Sequence, residues 1–145
     1  NDYFRLNILT LYKNKDMFIE YLNKEEKEVF FSLALDLVRV DDAFSLDEKE
    51  KIKQLSLRIL GEEGHDVEHL YNDLSTLENL SKKKIVLMEL VGLCYVDGDY
   101  CESEKKFIHE VAEKMEVDNV TLKDIENWAL GLVNHMNKGI ELINK

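Results

Sequence analysis

Carboxylates in two short segments are the residues of this chain best suited to chemistry. Asp41, Asp42, Asp47 and Glu48 crowd the first segment; Asp97, Asp99, Glu102 and Glu104 crowd the second. Hard cations such as calcium and magnesium take several oxygen ligands. Asp41, Asp47, Glu48, Asp97, Asp99, Glu102 and Glu104 are therefore a candidate ligand set for a divalent cation, calcium or magnesium, weakly held and exposed. Neither segment has EF-hand spacing. Counted from Asp41 or Asp97, the position that needs a bidentate glutamate falls on Ile52 or Ile108. The same residues have a plainer role, which we expect to be the main one. Asp41 and Asp97 can accept hydrogen bonds from loop amides, and Glu48 and Glu104 can reach back to N-cap amides in capping boxes.

Other reactive side chains offer less. His65 and His69 are spaced to share a helical face as a zinc pair, but no third ligand accompanies them and Gly64 weakens helix there. They are expected to be solvated. His109 and His135 read as boundary residues of amphipathic helices. Cys94 sits in an apolar run and reads as core, Cys101 as a partly exposed loop thiol, and no disulfide is expected between them. Trp128 is expected to anchor the last helix in the core. No spacing sets a nucleophile, a base and an oxyanion donor together, so no enzyme activity is expected. Catalysis by magnesium held on the carboxylate clusters is the one enzymatic route carried forward.

Composition bounds what these residues can serve. The chain has 145 residues, the size of one domain, and is expected to fold as a single unit over 1–145. The stretch 1–16, before Met17, reads as an N-terminal extension or cap, and 117–145 as a C-terminal capping helix. There is no proline and there are six glycines, so little interrupts long helices. Nineteen basic against thirty acidic residues give a formal net charge of −11. That field repels phosphate backbones and anionic lipid, so no nucleic-acid partner is expected. No apolar run approaches the roughly 18–20 residues that cross a bilayer, so no direct membrane insertion is expected. No signal peptide is visible, and the chain reads as cytoplasmic.

Apolar spacing then places the elements. A short broad-faced helix is expected within 1–15, from Tyr3, Phe4, Leu6, Ile8, Leu9, Leu11 and Tyr12. Helices follow near 25–40, 45–60, 82–96, 102–116 and 121–143, with a further short one over 67–74. Asn23, Ser45, Ser81 and Thr121 are the expected caps. The helices 25–40 and 82–96 are apolar nearly all round, which marks them as the central, most buried pair.

Those two helices open a repeat. Laying 29–52 on 85–108, an offset of 56, matches Leu37/Leu93, Val40/Val96, Asp41/Asp97, Glu48/Glu104, Lys49/Lys105 and Ile52/Ile108. The identities gather at the acidic loops. An all-α fold of six to seven helices follows, built from duplicated helical hairpins about a pseudo-two-fold axis.

The segment Val96-Asp97-Gly98-Asp99-Tyr100-Cys101-Glu102-Ser103-Glu104, continuing to Phe107-Ile108, resembles the Ala-Asp-Gly-x-hydrophobic-x-x-x-Glu-x-x-x-hydrophobic signature of TerB-like tellurite-resistance domains. Val40-Asp41-Asp42-Ala43-Phe44-Ser45-Leu46-Asp47-Glu48 to Ile52 resembles a first copy. The resemblance runs from about Met17 to Met115. Valine stands in place of alanine before both aspartates, and Asp42 in place of the glycine. It implies a small all-helical cytoplasmic module linked to stress and tellurite resistance, with divalent cations held by acidic residues and no catalysis of its own.

The expected function is thus a non-catalytic acidic helical module that binds a protein partner and, secondarily, a divalent cation. The alternative is a purely structural or oligomerisation domain, a homodimer formed through apolar terminal helices.

Overall fold

Asparagines open two of the helices. A computed structural model describes residues 18–40, 50, 53, 54, 57, 73–95 and 100–145. Among them are four α-helices and two short 3-10 turns, with no strand, so the chain is all-α. The helices are α1 (Lys24–Val40), α2 (Leu80–Tyr95), α3 (Glu102–Lys114) and α4 (Asn119–Ile143); the 3-10 turns are Phe18–Tyr21 and Leu74–Thr76. The isolated residues Glu50, Lys53, Gln54 and Leu57 are helical too. The helices expected within 1–15 and 67–74 lie outside the described residues, as does most of the one expected over 45–60.

Asn23 caps α1 in a reciprocal box: the Glu26 N–H donates to Asn23 Oδ1 at 2.9 Å, and the Asn23 N–H donates to Glu26 Oε1 at 2.7 Å. Each bond satisfies an amide that the first turn leaves without a helical partner. At α2 the cap is Asn79, not the expected Ser81. The Lys82 N–H donates to Asn79 Oδ1 at 3.0 Å, and the Ser81 hydroxyl donates to the same oxygen at 2.7 Å. Serine supports the cap from inside the first turn. At α4 the cap is Asp118, not Thr121, whose N–H donates to Asp118 Oδ1 at 2.7 Å. The apolar stripe begins only at Leu122, because the first turn carries the exposed Val120, and that is why spacing alone starts this helix late.

The two apolar helices form the centre. α1 buries Val29, Phe30, Phe31, Leu33, Ala34, Leu35, Leu37 and Val38; α2 buries Val86, Leu87, Leu90, Val91, Leu93 and Cys94. Phe30 and Phe31 meet edge to face at 5.0 Å. Each such side chain contributes roughly 1.5–3 kcal/mol by leaving water. α4 lies along α2, and α3 packs on both α1 and α2. From α4 the core receives Leu122, Ile125, Ala129 and Val133. Trp128 does not join them. It is 36% exposed and rests against Phe18 at 5.9 Å, because it stands on the flank of the helix beside Ala129 rather than on its buried stripe.

A tight turn joins α3 to α4. Glu116 has φ of 60°, in the left-handed region. The Glu116 N–H donates to the Glu113 carbonyl at 3.0 Å, and the Val117 N–H to the Ala112 carbonyl at 2.9 Å. That pair of bonds is a Schellman motif, with Val117 and Ala112 both buried as its apolar contact. Asp118 caps the next helix at once, so the chain reverses within four residues of the end of α3. No helix among the described residues is long and apolar enough to cross a membrane.

Candidate functional site

Of the candidate ligands, Asp41, Asp47, Glu48, Asp97 and Asp99 lie outside the described residues, with Asp42. Glu102 and Glu104 are described and sit on different faces of α3. Glu102 is exposed and pairs with Lys105 at 3.6 Å. Glu104 is fully buried, and its Oε1 accepts the Cys101 N–H at 3.0 Å. That bond is the glutamate half of a capping box, the plainer role expected for this residue. No group of three or more His, Cys, Asp or Glu gathers as a metal site among the described residues. His65 and His69 lie outside them as well. No disulfide joins Cys94, which is buried, to Cys101, which is partly exposed.

The tight turn builds a cleft between α3 and α4. Lys105 and His109 line one wall; Asn119, Val120, Lys123 and Glu126 line the other, in a space of about 580 Å³. His109 Nε2 lies 3.4 Å from Glu126 Oε2. Glu126 is only 8% exposed, because it stands on the buried stripe of α4, one turn from Leu122 and from Ala129. Under the floor sits Tyr100, packed on Tyr95 with ring centroids 4.9 Å apart. Lys105 Nζ stands 5.6 Å from the Tyr100 centroid, in cation–π range. The Tyr100 hydroxyl is buried and has no hydrogen-bond partner at proper geometry. Burial, and then the neighbouring Glu126 charge, push its pKa far above the usual phenol value; the same causes raise Tyr95. At neutral pH Tyr100 is therefore a neutral hydroxyl, a donor rather than a nucleophile.

A second feature is an aromatic face. Phe18, Tyr21 and Trp128 are 37%, 68% and 36% exposed and adjoin one another, Phe18 lying 6.3 Å from Tyr21 and 5.9 Å from Trp128. The 3-10 turn that carries the first two is anchored at both ends. The Phe18 N–H donates to Glu89 Oε1 at 2.9 Å, and Lys82 Nζ donates to the Tyr21 carbonyl. Ile19 and Leu22 plug the core beneath it.

Four of these residues escape a reading of the sequence. Glu89 had a usable signal: one carboxylate inside a long apolar run must find a hydrogen-bond donor in the core. Glu126 had the same signal, a carboxylate at stripe spacing between Leu122 and Ala129; Tyr100 and His109 had none, because their meeting with it depends on the rotation of α4 against α3. Only recognition of Asp118 as the cap would have fixed that register.

No family model matches the chain, and no solved structure matches it. A Schizosaccharomyces pombe protein described as BTB/POZ domain-containing protein 3 is 22% identical over 115 residues, covering 75% of this chain and 22% of that protein. The chain thus spans 22% of the length of this curated relative, a distant and partial similarity that assigns no family.

Proposed function

We propose that the chain is a non-catalytic, acidic helical module that binds a protein partner through Phe18, Tyr21 and Trp128. The carrying observation is the juxtaposition of three exposed aromatic rings on an anchored turn. Single exposed apolar residues are ordinary, but clustered aromatics are enriched where proteins dock. The net charge of −11 favours a partner with a basic rim over nucleic acid or an anionic membrane. The module is cytoplasmic in this reading.

The proposal includes a TerB-like fold of six to seven helices, two hairpins duplicated about a pseudo-two-fold axis. Its support is the pair of caps: Asn23 and Asn79 both open apolar helices and stand 56 positions apart, the offset of the repeat. Weak binding of calcium or magnesium by the acidic loops is the second element, in keeping with the resemblance to tellurite-resistance and stress-response domains.

The test compares the parent chain with Tyr21→Ala/Trp128→Ala as bait in extract of the source cells, at low and high salt. A protein retained by the parent and lost by the variant supports the reading, provided both baits have the same circular dichroism. Identical recovery by the two baits overturns it. Thermal shift with calcium and magnesium tests the second element, since a bound cation must raise the melting temperature.

The homodimer is a second reading, favoured by the exposure of Leu142 at 71% and Ile143 at 83% near the end of α4. Sedimentation of the parent against Leu142→Ser/Ile143→Ser decides it. A dimer that the variant dissociates would replace the partner reading.

A further inference from the structure

One ammonium closes a ring of polar contacts where the aromatic turn meets α1. Lys82 Nζ donates to the Tyr21 carbonyl and lies 3.3 Å from Glu26 Oε1. The same Glu26 oxygen accepts the Asn23 N–H at 2.7 Å. Tyr21 ends the turn and Asn23 caps α1, so the ring fixes the angle at which the chain passes from one to the other. Lys82 is the third residue of α2, where the positive end of the helix dipole disfavours a cation. Its two acceptors across the junction, not its own helix, hold it there.

The turn has few other holds among the described residues. It is four residues long. The Leu22 N–H donates to the Ile19 carbonyl at 3.0 Å, and the Phe18 N–H to Glu89 Oε1 at 2.9 Å. Ile19 and the adjoining Leu22 are buried, whereas Phe18 and Tyr21 face outward and α1 and α2 bury long apolar runs. Local opening is easiest where few apolar contacts must be given up. One charge-assisted hydrogen bond is then a large share of what keeps the turn shut. The aromatic face depends on that closure. Phe18 and Tyr21 belong to the turn and Trp128 to α4, so the three rings meet only while the turn is in place.

We propose that the aromatic turn is a flap that opens on helices that stay folded, and that Lys82 is the latch that keeps it shut. Opening carries Phe18 and Tyr21 away from Trp128 and dismantles the face. A partner that needs all three rings binds the shut form and, by mass action, holds it shut. The use of the flap rests on the partner reading, but its motion is measured without a partner, so either can fail alone.

The experiment is native-state hydrogen exchange of the full chain in urea below the unfolding transition. The Phe18 and Leu22 amides are expected to exchange together, faster than those of Leu90 and Val91. Low urea should barely change their rate, because a small opening exposes little surface. Lys82→Met keeps the apolar stem and loses the ammonium, and is expected to speed Phe18 and Leu22 about tenfold through loss of one charge-assisted bond. Lys82→Gln is the milder change should Lys82→Met fold poorly, with the same direction expected. Asp118→Ala loosens the distant cap of α4, so it should speed Leu90 and Val91 and leave Phe18 and Leu22 as they are. A urea dependence of Phe18 and Leu22 equal to that of Val91 would overturn the flap. Unchanged rates at both amides in the folded lysine variants would overturn the latch, and so would equal acceleration by Asp118→Ala.

Discussion

Glu26 Oε1 and Lys82 Nζ lie 3.3 Å apart, and each residue is the third of a helix whose cap is an asparagine. Glutamate suits that position: it completes a capping box and its charge is favoured by the helix dipole. Lysine does not, since the positive end of a helix repels it. Here the misfit is resolved by pairing the two positions. Glu26 is nearly buried and gains a cation, while Lys82 also donates to the Tyr21 carbonyl and holds the aromatic turn.

The pair should therefore be coupled in a double-mutant cycle. Glu26→Ala removes a cap bond and the partner of a half-buried lysine, at about 2–3 kcal/mol. Lys82→Ala should cost about 1–2 kcal/mol, and the double variant about 1 kcal/mol less than the sum. Urea unfolding of the four proteins reads this. Strict additivity would mean the ion pair contributes nothing.

Glu104 separates capping from ligation. Glutamine serves at this position of a capping box as glutamate does, so Glu104→Gln should unfold within about 1 kcal/mol of the parent in chelator-treated buffer. Glu104→Ala should cost about 1–3 kcal/mol, leaving the half-buried Cys101 amide without its acceptor. A deficit of Glu104→Gln that grows when calcium is added would point to ligation instead.

Asp118 gives a pH signature. Hydrogen bonds from the Thr121 N–H, then from its hydroxyl, hold the Asp118 pKa below the ordinary aspartate value. A group lowered in the folded state stabilises it above the unfolded pKa, about 4, and that stabilisation is lost as pH falls through the folded value. Thermal melts from neutral to acid should show the gap between the parent and Asp118→Ala closing in that window. A constant gap would place the effect elsewhere.

Glu116 carries the one positive φ among the described non-glycine residues. Glycine adopts that conformation without steric cost, so Glu116→Gly should stabilise the chain by about 0.5–1 kcal/mol. Glu116→Val should destabilise it by more than that. Chemical denaturation with an unchanged slope would attribute both shifts to the turn.

The four described helices were legible because nothing in a proline-free chain competes with their apolar spacing. The central placement of α1 and α2 followed from apolar residues on every face. Caps were less legible where several candidates stand together: Asn79 and Ser81 are both good N-cap types, as are Asp118 and Thr121, and only hydrogen bonds choose between them. Trp128 misled because a large apolar ring in an apolar stripe looks like core, whereas the buried stripe of α4 is narrower than its apolar one. The Tyr100–Glu126–His109 cluster was beyond spacing rules altogether. It exists because a Schellman turn and an aspartate cap set the rotation of one helix against the next.

That turn also orders events in time. α3 and α4 are joined by a four-residue turn and meet where His109 faces Glu126, 17 positions on, so bringing them together needs only a short loop to close. The Phe18–Glu89 bond spans 71 positions and must await a far longer closure. We expect the C-terminal hairpin to assemble early and the aromatic turn late, an order that pulsed hydrogen exchange would register as early protection in α3 and α4. A short turn that buries only Ile19 and Leu22 also opens more readily than the helices it rests on. The face offered to a partner would then be the most labile part of the described structure, and a bound partner would act as its missing clasp.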